Sequence, residues 1–208
     1  MPESGGPVRY RKENNPPGYI RPEEDEIVAK KKTAGDGTKG DEQAFRLLEG
    51  LSDPSIDARH KSVEALRLLG KPAVVPLIEL LAGTTDNELR WYAAVALGKI
   101  GPDAVGPLIG AMEEHRDKDF RRYAAAALGS VGAPAVDDLI GALGSGDPEM
   151  RGFVSLALCR IGEPAVEPLT RRLGDANPVL RSCASLTLWQ MGEKGLPALV
   201  ENVRKRQE

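Results

Sequence analysis

The chain has 208 residues, of which 28% are charged and 4% aromatic, and it carries a net charge of −3. That balance lacks the positive field of a protein built for nucleic acid or an anionic membrane surface, and no run of ~18 apolar residues exists to cross a bilayer. Cys159 and Cys183 form no CxxC pair and no disulfide framework, which predicts a reduced, cytoplasmic setting.

Residues 1–40 are rich in Pro, Gly and charge, with few apolar residues and no periodicity. Such a segment buries too little surface to offset its ordering entropy, so a disordered or weakly ordered tail is expected. It also lacks the apolar core of a secretory signal. Two features could give it more than solvation. Glu23 to Lys32 has acids first and lysines last, which suits a transient helix, and Tyr10, Tyr19 and Ile20 could meet a partner.

From residue 41 to 208 the texture changes. Five segments align on Arg59, Arg90, Arg121, Arg151 and Arg181, each followed eleven residues later by Gly70, Gly101, Gly132, Gly162 or Gly192. A fixed period of this length marks stacked supersecondary units. In residues 102–131, PDAVGPLIGAMEE reads as a first helix (A) opened by proline. HRDKD is a turn, and FRRYAAAALGSVG is a second helix (B) closed by glycine. Asp53, Asp86, Asp117 and Asp147 are placed to cap B helices. The predicted order is a first A helix at 41–51, a B helix at 55–69, A–B pairs to 191, and a polar, basic capping helix at 194–206. The A-helix proline, as in Ala73-Val74-Val75-Pro76, should sit inside the helix and bend it.

Columns counted from the arginine separate core from surface. Seven residues on stand Leu66, Leu97, Leu128, Leu158 and Leu188, the spacing of a buried stripe. The outward columns vary. One after the arginine are His60, Trp91, Arg122, Gly152 and Ser182, and two after are Lys61, Tyr92, Tyr123, Phe153 and Cys183. Five after are Glu64, Val95, Ala126, Leu156 and Leu186, and nine after are Leu68, Lys99, Ser130, Arg160 and Gln190. Trp91, Tyr92, Tyr123 and Phe153, with Val95, Leu156, Lys99, Arg122 and Arg160, have the composition of an interface hot spot with an arginine rim. Trp189 is expected to pack under the last helix, and Cys159 to be a small core residue.

The pattern D-x-x-x-R-x-x-A-A-x-A-L-G-x-I-G followed by P-A-V-x-P-L-I, best kept from Asp86 to Ile109, Asp117 to Ile140 and Asp147 to Leu169, resembles the HEAT-repeat superfamily. The likeness is to the short HEAT-like repeat first named from phycobilisome lyase subunits. The resemblance implies an all-α, right-handed α-α superhelix of about five helix pairs plus a C-terminal capping helix. It implies that B helices line the concave side, and that turn aspartates and B-helix arginines of adjacent repeats form a structural ladder: Asp86, Asp117 and Asp147 with Arg90, Arg121 and Arg151.

Two relatives of that type carry enzymatic roles. Deoxyhypusine hydroxylase resembles a di-iron enzyme with His-Glu pairs, but here His60 and His115 precede Lys61 and Arg116, too few ligands for such a site. Bilin lyase subunits offer no compact motif to transfer. With no phosphate loop, dinucleotide fingerprint or nucleophile elbow, the expectation is a non-catalytic, monomeric scaffold. It would need no cofactor or metal and would hold a protein segment on its concave face. The alternatives are a nucleic-acid-binding module, which Lys61, Lys99, Arg122 and Arg160 could serve weakly, and an accessory subunit of a lyase-type enzyme.

Overall fold

A computed structural model describes residues 39–205 of the chain. The expected tail, with Tyr10, Tyr19, Ile20 and the segment from Glu23 to Lys32, lies outside the described residues. Eleven α-helices follow one another there: α1 (Lys39–Glu49), α2 (Ile56–Leu69), α3 (Val74–Gly83), α4 (Asn87–Ile100), α5 (Val105–Glu114), α6 (Lys118–Val131), α7 (Val136–Ala142), α8 (Pro148–Ile161), α9 (Glu163–Arg171), α10 (Pro178–Gln190) and α11 (Leu196–Lys205). Odd-numbered helices are the A type and even-numbered helices the B type. The result is an all-α solenoid.

The repeating residues shape each unit. Asp86, Asp117, Asp147 and Asn177 are extended N-caps whose side chains accept from backbone N–H groups of the first turn, for example Glu88 N at 2.8 Å from Asp86 Oδ1. The first repeat departs from expectation. Ser55, not Asp53, caps α2, while Asp53 accepts from the Ser55 N–H at 2.7 Å. Every B helix is followed by a glycine with positive φ, as at Gly101 (φ 85°), a backbone state that a side chain would strain. That requirement is the cause of the glycine column.

The proline expectation is corrected. A short 3-10 turn precedes α3 and α5 (Lys71–Ala73 and Pro102–Ala104). Pro76 and Pro107 therefore fall in the first α-helical turn, where a missing N–H costs no helical bond. Among the described residues only Pro168 lies inside its helix, because α9 starts at Glu163 with no separate turn before it.

The core runs through the stack as one cluster: Leu66, Leu97, Leu128, Leu158 and Leu188 are each 0% exposed, with Phe120 and Met150 beside them. Buried Ala94, Ala96, Ala125 and Ala127 let B helices approach. Gly98 and Gly129 bring them closer still, since a Cβ there would meet Ser130 Cβ at 2.8 Å and Arg160 Cδ at 2.6 Å. Consecutive B helices pack more tightly than consecutive A helices.

Candidate functional site

The arginine column performs two tasks with one planar fork. Toward its own repeat the guanidinium of the last four binds backbone carbonyls that precede its helix, whereas the buried Arg59 Nε has no acceptor: Arg90 Nε donates to Thr84 O at 2.8 Å, Arg121 Nε to Met112 O at 2.9 Å and His115 O at 2.8 Å. Arg151 and Arg181 reach Ser145 O and Asp175 O, each at 2.7 Å. Toward the next repeat the fork meets acids. Arg59 lies 3.1 Å from Glu88, Arg90 3.8 Å from Asp117 and 3.4 Å from Asp119, and Arg121 2.8 Å from Asp147 and 3.7 Å from Glu149. A lysine, a single point of charge, could not serve both directions. The fourth rung is broken, because Asn177 and Val179 stand where acids would be. Asp86, expected in the ladder, is an N-cap that makes no ion pair among the described residues; Glu88 meets Arg59 at that boundary instead. The Arg121 guanidinium, backed by the Glu149 and Met150 N–H groups, holds the Asp147 carboxyl below the ordinary aspartate range.

Around this frame the B row presents its variable columns. Trp91 is 49% exposed, and its ring stands edge-on to Tyr92 at 4.8 Å. A hollow of about 400 Å³ opens between α2 and α4, lined by His60, Val63, Glu64, Trp91, Tyr92, Val95 and Lys99. A second, of about 580 Å³, opens between α8 and α10, lined by Glu149, Gly152, Phe153, Leu156, Cys159 and Gln190. On α6, between them, Arg122 lies over the Tyr123 ring at 5.1 Å, and the Tyr123 hydroxyl donates to Asn87 O at 3.2 Å. Ser155 Oγ, buried between α8 and α10, is 2.8 Å from both Thr187 Oγ1 and Gln190 Oε1. Burial pushes the Cys159 thiol up, away from the reactive thiolate.

Three expectations change here. Tyr92 is 4% exposed and belongs to the core, not to a surface ridge. Trp91, His60 (ring centroids 5.9 Å apart) and the Arg59 guanidinium (5.1 Å) enclose it. Tyr123 and Phe153, from the same column, are half-buried and lean on the core. Trp189 is 63% exposed rather than packed under the last helix. It occupies the Gly98 and Gly129 column, which in those repeats faces the next B helix, and among the described residues no B helix follows α10. The basic rim is largely neutralised: Lys99 pairs with Glu64, and Arg122 lies 3.0 Å from Asp119. Arg160 makes no ion pair among the described residues. It lays its stem on Gly129 and keeps its charge available. The residues that sequence reasoning under-weighted are Leu186 (51% exposed) and Leu68 (74%). Both were already in outward columns, and leucine in such a column was the available signal.

Among the described residues no group of three or more His, Cys, Asp or Glu is placed to hold a metal ion, and no helix is long and apolar enough to cross a membrane.

A family profile described as HEAT repeats matches residues 46–114 and 105–189. That span covers more than half of the chain, and the chain belongs to the HEAT-repeat family. No curated protein sequence matches it. Among solved structures it is similar to an engineered protein at 19% identity (TM-score 0.32), with 76% of this chain and 84% of that chain covered. It is also similar to a designed armadillo repeat protein in complex with the peptide (KR)4 at 18% identity (TM-score 0.31), with 77% of this chain and 91% of that chain covered.

Proposed function

We propose that this chain is a non-catalytic scaffold that holds a segment of a partner protein along its B row. The observation that carries the reading is the exposed apolar side chains that stand over hollows of the B row. Trp91 (49% exposed) and Leu156 (53%) stand at two hollows, with half-buried Val95, Tyr123 and Phe153 as a floor. Apolar anchors in concave sites, surrounded by satisfied polar groups, are where association free energy concentrates. The polar groups here are largely satisfied: Lys99 and Arg122 have acid partners, and Ser155 bonds Thr187 and Gln190. That self-neutralised rim weighs against a nucleic-acid groove, whose cations must be available for phosphates. A reducing, cytoplasmic setting fits two unpaired, half-buried cysteines.

Trp91→Ala with Leu156→Ala tests the reading. Retention of an affinity-purified protein partner should fall at least tenfold against Val75→Ala, a change on α3 at a residue 58% exposed. Equal retention by both variants contradicts the proposal. Tyr123→Ala with Phe153→Ala is a poorer probe, because both rings lean on the core.

A further inference from the structure

Helix α8 carries a stripe that no other described B helix repeats. Gly152, Leu156 and Arg160 follow one another at i, i+4 and i+8, so they share one face, and all three are exposed. The stripe reads as a gap, a large apolar side chain and a cation. On α4 the same columns hold Trp91, Val95 and Lys99, with a ring in place of the gap and a lysine already paired with Glu64. A Cβ at Gly152 would meet nothing within 4 Å. Its missing side chain leaves open space in the hollow of about 580 Å³ that Gly152 and Leu156 line.

The cation is seated yet left without an acid. The Arg160 stem lies on Gly129 of α6, where an added Cβ would fall 2.6 Å from its Cδ. Lys99 and Arg122 each have an acid partner, whereas Arg160 makes no ion pair among the described residues. Packing of the stem has already removed rotamer freedom that a ligand would otherwise have to remove. Attraction to the C-terminal dipole of α8 favours an arginine in this turn, but it does not require a stem laid across the neighbouring helix. Gln190 stands in the same column on α10 and lines the same hollow. Its Oε1 accepts from Ser155 at 2.8 Å, and its two N–H hydrogens have no partner among the described residues. Glu149 also lines the hollow, but it lies about 16 Å back along α8 by helical rise and is engaged by Lys118 at 2.9 Å. One end of the hollow is therefore self-satisfied and the other offers donors.

We propose that this hollow takes a partner segment in which a large apolar side chain lies within a few residues of an aspartate or glutamate. The apolar group fills the space beside Gly152 and Leu156. The carboxylate pairs with the Arg160 guanidinium, whose fork matches its two oxygens, and accepts from Gln190 Nε2. This inference rests on the B row being the partner-binding surface and adds the chemistry that the surface selects.

A phage-displayed library of random linear peptides, panned against the full chain, supplies the probe. Peptides recovered on the parent chain should place Trp, Phe or Leu near an Asp or Glu. The most enriched one, synthesised, should bind about tenfold or more weakly to Arg160→Glu and to Gly152→Trp, which fills the hollow. Exchanging its acid for lysine should weaken binding to the parent chain and restore it to Arg160→Glu, a reversal that a misfolded variant could not give. Peptides that depend on Trp91 and Leu156 but carry no acid, or that bind Arg160→Glu as well as the parent chain, overturn this inference and leave the reading of the B row standing. If no recovered peptide depends on Trp91 or Leu156, both fall. Enrichment of basic peptides, or single-stranded DNA held by the parent chain and released by Arg160→Glu, also overturns it.

Discussion

Replacing Arg121 with alanine asks the most of the repeat frame. Its side chain is 1% exposed and lies 2.9 Å from Met112 O, 2.8 Å from His115 O, 2.8 Å from Asp147 and 3.7 Å from Glu149. Removing one partner of a buried ion pair costs about 3–5 kcal/mol. The surviving Asp147 carboxylate is one-quarter exposed and can regain water, so the lower end, about 3 kcal/mol, is expected. Arg151 is the internal control. It is half-buried, donates to Ser145 O at 2.7 Å and has no acid across the repeat boundary. Loss of one such bond costs about 1 kcal/mol. Urea unfolding of the two variants should therefore differ by about 2 kcal/mol at constant slope. Using one array for both comparisons removes uncertainty over how cooperatively a repeat protein unfolds. If the two variants lose equal stability, the inter-repeat pair contributes nothing and the ladder account is wrong.

Tyr92→Ala should cost about 3 kcal/mol of unfolding free energy, as a large buried aromatic does, whereas Trp91→Ala beside it should cost under about 1 kcal/mol by the same assay. Acid should weaken the chain through Asp147, held low by Arg121, and Glu64, held low by Lys99 and then Arg67. Because both folded values lie below the ordinary 3.8 and 4.5, their stabilisation is complete above those values and lost as pH falls through the folded ones. Asp147→Asn, which keeps a capping side chain, should flatten that acid limb in urea titrations at stepped pH. Gly110→Ala, whose added methyl meets nothing within 4 Å, should raise stability by about 0.5–1 kcal/mol. Gly129→Ala should lower it by about 1–3 kcal/mol through collision with Arg160, and thermal melts of the pair read both signs.

Features that recur in every repeat were legible from the chain itself. The glycine column marks a positive-φ residue, the leucine seven after each arginine marks the dry core, and the caps follow from Asp86, Asp117 and Asp147. Features that depend on a neighbour or an end were not. Tyr92 and Tyr123 share a column, yet only Tyr92 has a tryptophan beside it and a histidine ring from the preceding B helix to close over it. Trp189 resembles a packed residue by its column, and its exposure follows from its place in the last of the described B helices. The capping of α2 by Ser55 rather than Asp53 reflects a first repeat whose turn differs from the later ones. Proline placement needed the 3-10 turns, which no single-residue preference announces.

Site-specific photo-cross-linking compares the two sides of the solenoid directly. A photoreactive amino acid is placed at Leu156 on the B row or at Val75 on an A helix, residues 53% and 58% exposed, so accessibility is matched. The account predicts a discrete cross-linked protein species from the Leu156 position, competed by unlabelled parent chain, and none from Val75. Cross-linking of equal yield at both positions, or at Val75 alone, would contradict a binding surface on the B row.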